Sequence, residues 1–288
     1  MAIEDKFFQL KDDRTLAYTE HGDLIGTPFF FIHGNPSSRL MRHPDESIVE
    51  NLGVRIITPD RPGYGYSDFQ PKRVLLDFPS DISQLAEALG IKWFSIFGVS
   101  AGGPYVAASV YKLGKQITNA AIVSGSAPFN REGAFDDMSS AWQTAFKMST
   151  FPEWLLRPIL GLQANIQKRD LEKSIVSMEA ILAESDRRLL SNPEIRTSVK
   201  LRVPEATRNG ARGWAREVKI ILSPWDFDVK DIQIPMHLWY WEDDPAIPPQ
   251  MCRYLEVKIP NTIPHFQPGG GHLSIFDQWG DIIENLSQ

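Results

Sequence analysis

The sequence predicts an α/β fold, a mostly parallel sheet with helices on both faces and a helical insertion in its second half. Three observations point there. Short runs dense in β-branched and aromatic residues, at 29–32, 54–57, 93–97 and 120–123, read as strands buried on both faces. Helical patterns separate these runs, and strand–helix alternation of this kind builds parallel sheets. From about residue 130 to residue 226 the strand pattern stops and charges become frequent, and it returns at 236–240.

In chain order, residues 7–10 and 15–19 look like an antiparallel start. Ile82, Leu85, Ala86 and Leu89 recur at helical spacing, with Gly90 as the stop. Residues 101–113 form a second helix, ended by Gly114. Pro104 falls in its first turn, where a missing N–H costs little. Within the insertion, residues 172–190 place Ile175, Met178, Ile181, Leu182 and Ser185 on one face of a helix. Arg187, Arg188, Arg202, Arg208, Arg212 and Arg216 are mixed with acids and read as a solvated face. A helix is expected near 250–257. Leu273, Phe276, Trp279, Ile283 and Leu286 are spaced as one face of a closing helix. The expected organisation is a core made of residues 1–129 and 227–288, interrupted by a helical cap at 130–226.

Composition limits the function classes. The chain has 288 residues, 42% hydrophobic and 23% charged, enough for a full core. A formal net charge of −6 argues against nucleic acid or an anionic membrane as the main partner. One cysteine, Cys252, allows neither an intrachain disulfide nor a Cys-ligated structural zinc, and reads as a small buried hydrophobe. The opening Met-Ala-Ile-Glu-Asp-Lys-Phe-Phe lacks the basic start and apolar run of a signal peptide. Apolar runs are too short to span a bilayer. A cytoplasmic monomer or homodimer is expected.

The chemistry is carried by Gly98-Val99-Ser100-Ala101-Gly102, a G-x-S-x-G pattern between a strand and a helix. That context makes a very tight turn with the serine at its tip. Residues two before and two after the serine crowd each other, which glycine relieves. Ser100 also lies at a helix N-terminus, which favours a developing negative charge. The alternative is an idle serine in a flexible turn. A serine hydroxyl needs a base. Of six histidines, His272 follows Pro268-Gly-Gly-Gly271 just before the last helix, where a glycine-rich loop can carry it across the sheet end. His21 lies by the N-terminal hairpin and His43 in a polar helix, both surface or structural. His237 begins a strand, His265 ends one, and His33 reads as a structural hydrogen-bonder. The base needs an orienting carboxylate. Asp244 leaves a strand at a Pro-rich turn and keeps the order Ser, acid, His, with Asp243, Asp226 and Asp228 as alternatives. His33-Gly34-Asn35-Pro36 follows another strand. The N–H of Asn35 there and the N–H of Ala101 would form an oxyanion hole.

These residues carry a resemblance. Over nearly its whole length the chain resembles α/β-hydrolases, through His33-Gly-Asn-Pro36, Asp60-Arg-Pro-Gly-Tyr-Gly-Tyr-Ser-Asp68, Gly98-Val-Ser-Ala-Gly-Gly-Pro104, the stretch from Trp239 to Pro248, and Gly271-His272. The resemblance implies an eight-stranded sheet, a helical cap after the sixth strand, and a structural loop from Asp60 to Asp68. The chain departs from the family at Trp241, where glycine is usual. Serine at position 100 excludes the ester chemistry of relatives with Asp at the elbow. No paired His/carboxylate ligand set and no dinucleotide loop appears, so neither a metal nor an organic cofactor is expected.

The expected activity is that of a serine esterase with Ser100, Asp244 and His272 as triad. It would act on a small or medium carboxylic ester, thioester or lactone. Bulky apolar residues of the insertion, Trp142, Phe146, Met148, Phe151, Trp154 and Leu155, are expected to supply the wall of the substrate pocket, Trp142 and Phe146 above all. Two other classes share the pattern: a ligand receptor that keeps the triad, and a non-ester member such as a C–C bond hydrolase or a hydroxynitrile lyase.

Overall fold

A computed structural model describes residues 4–148 and 150–288; residues 1–3, where the N-terminal stretch begins, lie outside it. The sheet has eight strands: β1 (Lys6–Gln9), β2 (Thr15–Gly22), β3 (Thr27–Ile32), β4 (Val54–Pro59), β5 (Phe94–Val99), β6 (Ile117–Val123), β7 (Met236–Trp241) and β8 (Thr262–Gln267). Their order is β1-β2-β4-β3-β5-β6-β7-β8. β2 pairs antiparallel with β1 and β4, and every other pairing is parallel.

Side-chain alternation along the strands fills two cores. Phe30, Ile32, Ile96, Ile122, Leu238 and Tyr240 face one of them. Helices α2 (Phe78–Ala88) and α3 (Gly102–Leu113) and, further along, the helix over Pro249–Lys258 cover that side. Phe29, Phe31, Phe97, Val123, Trp239 and Trp241 face the other core, under α1 (Ser47–Asn51) and the last helix, Trp279–Leu286. Trp279, Ile282, Ile283 and Leu286 of that last helix are buried, each contributing roughly 1.5–3 kcal/mol of apolar burial.

Between β6 and β7 run helices α4 (Ser140–Met148), α5 (Glu153–Arg169), α6 (Leu171–Glu179), α7 (Glu184–Leu190), α8 (Pro193–Ala206) and α9 (Arg212–Leu222). Among the described residues no helix is long and apolar enough to cross a membrane. Beyond β7, α10 is Pro249–Lys258 and α11 is Trp279–Leu286.

Several expectations are corrected in detail. Residues 172–190 are two helices, α6 and α7, not one. The break turns Ile175, Leu182 and Leu189 into the same core, and the Arg187 guanidinium donates to the freed Leu182 carbonyl at 2.6 Å. Leu273 and Phe276 are buried as expected but precede α11 in turns. There Ser274 Oγ accepts the Gly271 N–H at 2.8 Å, a local bond that competes with helix. Strand β5 begins at Phe94, and Trp93 is exposed. His43 lies in the loop before α1 rather than in a helix, against Phe276 and Trp279. Arg202 is no part of a solvated face. It is buried, donates to Ser37 Oγ at 3.2 Å and sits over the Phe276 ring. Arg216 donates to the Arg73 carbonyl at 2.6 Å.

Candidate active site

The strand order reverses between β3 and β5, because the chain builds β4 on one side and then returns to the other. In an open α/β sheet that reversal leaves a crevice at the carboxyl ends of the strands. Ser100 follows β5 there, and the loop from His33 to Pro36 follows β3.

Ser100 has φ +56°, in the left-handed region that a non-glycine residue seldom occupies. Its backbone is held from both sides. Its N–H donates to the Val123 carbonyl at 3.0 Å, and its carbonyl accepts from Gly103 N–H at 3.0 Å. The flanking glycines are steric necessities. A Cβ at Gly98 would lie 2.9 Å from the Gly102 carbonyl oxygen, and one at Gly102 would lie 2.2 Å from that of Ile32. The expected crowding around the serine is therefore present. Ala101 sits at the N-cap of α3, where the first N–H groups have no partner within the helix.

The β3 loop packs on this turn, since a Cβ at Gly34 would lie 3.4 Å from Ser100 Cβ. His33 is buried, with Nδ1 2.8 Å from the Gly34 carbonyl and Nε2 3.4 Å from the Arg61 N–H. Burial, then the Arg61 charge, push its pKa well below the ordinary histidine value, so it is neutral. Tyr64 donates to Asn35 Oδ1 at 2.8 Å. The Arg61 guanidinium donates to the carbonyls of His33 and Gly34, the second at 3.1 Å. The Gly34 carbonyl and the Asn35 N–H belong to one peptide unit. A cation on the oxygen therefore makes that N–H a stronger donor. Arg61 and Arg73 share Glu217 of α9, at 2.8 and 2.6 Å, with Tyr105 donating to the same carboxylate at 2.9 Å. No sequence pattern pointed to this buried cluster. Only the Asp60–Asp68 motif touched it, through Arg61 and Tyr64.

On the opposite flank, Asp244 is buried while Glu242 and Asp243 are exposed. Its Oδ1 accepts the N–H groups of Ala246 and Ile247, each at 2.9 Å, which fixes the carboxylate in the turn after β7. Its Oδ2 meets Nδ1 of His272 at 2.8 Å. Of Asp226, Asp228, Asp243 and Asp244, the last is the one joined to His272. Asp226 and Asp228 are exposed, and Asp228 caps Lys230. Burial pushes the His272 pKa down, but the Asp244 carboxylate outweighs it, and the net shift is upward.

A further carboxylate, which no sequence pattern marks, reaches the same loop. Asp186 of α7 is fully buried. It accepts the N–H of His272 on Oδ2 at 3.0 Å and that of Leu273 on Oδ1 at 2.7 Å. It lies 86 residues from His272 in sequence, inside a charged helix, and nothing local marks it.

Trp142 and Phe146 lean against the apolar cluster that contains Ala101, Ala246 and Phe129. The Phe146 ring is 4.8 Å from that of Phe129. Ser139, just before α4, donates its N–H to the Pro245 carbonyl at 3.3 Å, tying the start of the insertion to the Asp244 turn. Three residues named with Trp142 and Phe146 do not join them. Met148 at the end of α4, Phe151 before α5 and Trp154 in the first turn of α5 are exposed, the last at 76%. Cys252 is buried, as expected of a small hydrophobe. Among the described residues, no group of three or more His, Cys, Asp or Glu side chains could hold a metal ion.

The model of the alpha/beta hydrolase fold family matches residues 27–278. The uncharacterized hydrolase YcgS of Bacillus subtilis is 33% identical over 93 residues, and the match spans 32% of this chain and 32% of that relative. Among solved structures, a bromoperoxidase from Bacillus anthracis superposes with a TM-score of 0.72 at 22% identity, over 99% of both chains. An esterase from Exiguobacterium antarcticum gives 0.71 at 18%, over 99% of this chain and 98% of that one. An enol-lactonase from Burkholderia xenovorans gives 0.70 at 15%, over 98% and 99%. At such identities these likenesses are likenesses of fold.

Proposed function

The chain belongs to the alpha/beta hydrolase fold family, and on that premise we propose that it is a serine hydrolase acting on a small or medium carboxylic ester, thioester or lactone. One observation carries the reading. His272 donates or holds a proton at Nδ1 against the buried Asp244 at 2.8 Å, in a chain whose Ser100 stands in left-handed backbone at a strand-to-helix elbow. A buried carboxylate on one imidazole nitrogen leaves the other, Nε2, as the base.

In the proposed reaction Ser100 Oγ attacks the acyl carbonyl carbon while His272 Nε2 takes the hydroxyl proton. Asp244 keeps Nδ1 protonated and stabilises the imidazolium. The N–H groups of Asn35 and Ala101 bind the oxyanion. Each such donor is worth about 3 kcal/mol of barrier. The imidazolium returns its proton to the leaving alcohol or thiol. Water, deprotonated by His272, then attacks the acyl-enzyme and frees Ser100 and the acid. Trp142 and Phe146 form part of the acyl wall supplied by the cap. No metal or organic cofactor enters any step.

The esterase and enol-lactonase likenesses agree with an acyl substrate without specifying one. A panel of nitrophenyl acyl esters tests the reading. The protein is expected to hydrolyse members of the panel, and Ser100→Ala and His272→Ala, each still folded by circular dichroism, to lose that activity. Hydrolysis surviving in folded Ser100→Ala, or a folded wild type that turns over no acyl ester, would count against it.

A further inference from the structure

The cap-side helix α7 reaches the loop that carries the base, and the contact is specific. Both oxygens of Asp186 accept backbone N–H groups of consecutive residues, His272 and Leu273. This is how a carboxylate, rather than a carboxylic acid, satisfies its lone pairs. Gly271 makes the approach possible. A Cβ there would lie 2.4 Å from Asp186 Oδ2 and 2.6 Å from Oδ1. The glycine before His272 thus serves this carboxylate, independently of the turn it sits in. Leu189 and Leu190 of the same helix are buried and anchor it.

We propose that Asp186 is a positioning residue: a carboxylate carried by the inserted helices that fixes the His272 loop and adds a second negative charge in support of the imidazolium, so that the base is complete only when α7 is seated. The proposal rests on the serine-hydrolase reading above. Three charged groups act on the imidazole. Asp244 and Asp186 favour its protonated form, and the buried Arg202 guanidinium of α8 opposes them. Burial, with the Asp244 charge, pushes the Asp186 carboxyl upward, and the Leu273 N–H and the His272 charge draw it only partly back, so the net shift is upward. Asp244 contacts the ring. Asp186 contacts the backbone that carries the ring, so its loss should misplace Nε2 and also make it less basic.

Asp186→Asn keeps the shape, removes the charge, and turns one acceptor into a donor facing an N–H. Two readouts are taken. The first is an NMR titration of the His272 ring, identified by its absence in His272→Ala, which needs no turnover. The second is the pH profile of kcat/KM on an acyl ester. In Asp186→Asn the ring midpoint and the acid limb should both move to lower pH by about half a unit to one unit. With them, kcat should fall on the order of 10- to 100-fold, as expected for a base displaced by a fraction of an ångström to an ångström. A folded variant whose His272 midpoint is that of wild type would overturn the electrostatic role. An unchanged kcat would overturn the positioning role. If wild type turns over no ester, the serine-hydrolase reading fails, and the ring titration still decides the link between Asp186 and His272. Should Asp186→Asn not fold, Asp186→Ser leaves a small acceptor and room for water. Failure of both to fold would make Asp186 a structural residue and end the proposal.

Discussion

The two loops proposed to serve Ser100 are held by opposite charges. The His272 loop is gripped by carboxylates: Asp244 on the ring at 2.8 Å and Asp186 on the backbone at 3.0 and 2.7 Å. The Gly34–Asn35 loop is gripped by a guanidinium, with Arg61 on the carbonyls of His33 and Gly34. In the proposed reaction positive charge develops on the imidazole and negative charge on the acyl oxygen. The carboxylates stand where a cation forms, and the cation stands behind the N–H that would meet an anion. Inserted helices supply part of each grip. Asp186 comes from α7, and Glu217 of α9 pairs with both Arg61 and Arg73. The partners differ in kind. Asp186 is held by backbone N–H groups, so its charge still acts on the imidazole. Glu217 spends its charge on direct ion pairs with these two guanidinium groups, which makes it mainly a structural element.

This contrast can be broken from the carboxylate side first. Asp244→Asn removes the acceptor that fixes Nδ1–H and should lower kcat on the order of 10⁴-fold, while Asp243→Asn, changed on the exposed neighbour, should do far less. Steady-state kinetics on one ester decides it, and reversed results would move the acid to Asp243. On the cation side the expected loss is of stability. Glu217→Gln leaves Arg61 and Arg73 buried without their carboxylate and should cost about 3–5 kcal/mol in denaturant unfolding. The acid-limb midpoint of kcat/KM should stay near the wild-type value in the folded fraction. A Glu217 variant of wild-type stability would remove the structural role given to it.

Specificity offers a smaller effect. Trp142→Ala should change the ratio of kcat/KM between short and long acyl esters by about 10- to 200-fold. An unchanged order of preference would make the residue scaffolding. The pH dependence is smaller still, and its sign follows from the shifts. The base must be neutral, and His272 is raised above 6.5, so kcat/KM should climb with pH through a midpoint above 6.5. Stability linked to His272 is full below 6.5 and lost as pH rises through its folded value. His21 acts the opposite way. Burial, then the Arg42 charge, bring it down to about 3, so the stability it confers is present above 6.5 and drains as pH falls from there toward 3. Urea unfolding at several pH values resolves the two.

Much of this was legible because it is local. The strand runs announce themselves by composition, and the sheet they form follows from their alternation with helices. Gly98, Ser100 and Gly102 declare the elbow because sterics at one turn dictate all three residues. Asp244 could be favoured over Asp243 by its place at the turn before Pro245, and its burial agrees. What escaped the sequence is long-range. Asp186 sits in a helix of ordinary charge pattern, and its meaning depends on where α7 lands. Arg202 and Glu217 look like solvated residues until the inserted helices bury them, and Arg216 is half-buried in the same way. The break between α6 and α7 escaped for the same reason, since local spacing permits one long helix and burial of Ile175, Leu182 and Leu189 together requires two. Met148, Phe151 and Trp154 failed in the other direction, because apolarity by itself does not say which face of α4 and α5 turns inward.

Whether Ser100 is a nucleophile activated by His272 is decided by active-site labelling. The protein would be treated with a fluorophosphonate, digested and analysed by mass spectrometry, beside His272→Ala. One phosphonylated residue, Ser100, is expected, with labelling strongly slowed in the His272 variant. A folded wild-type protein that takes no label, or takes it on another serine, would contradict it.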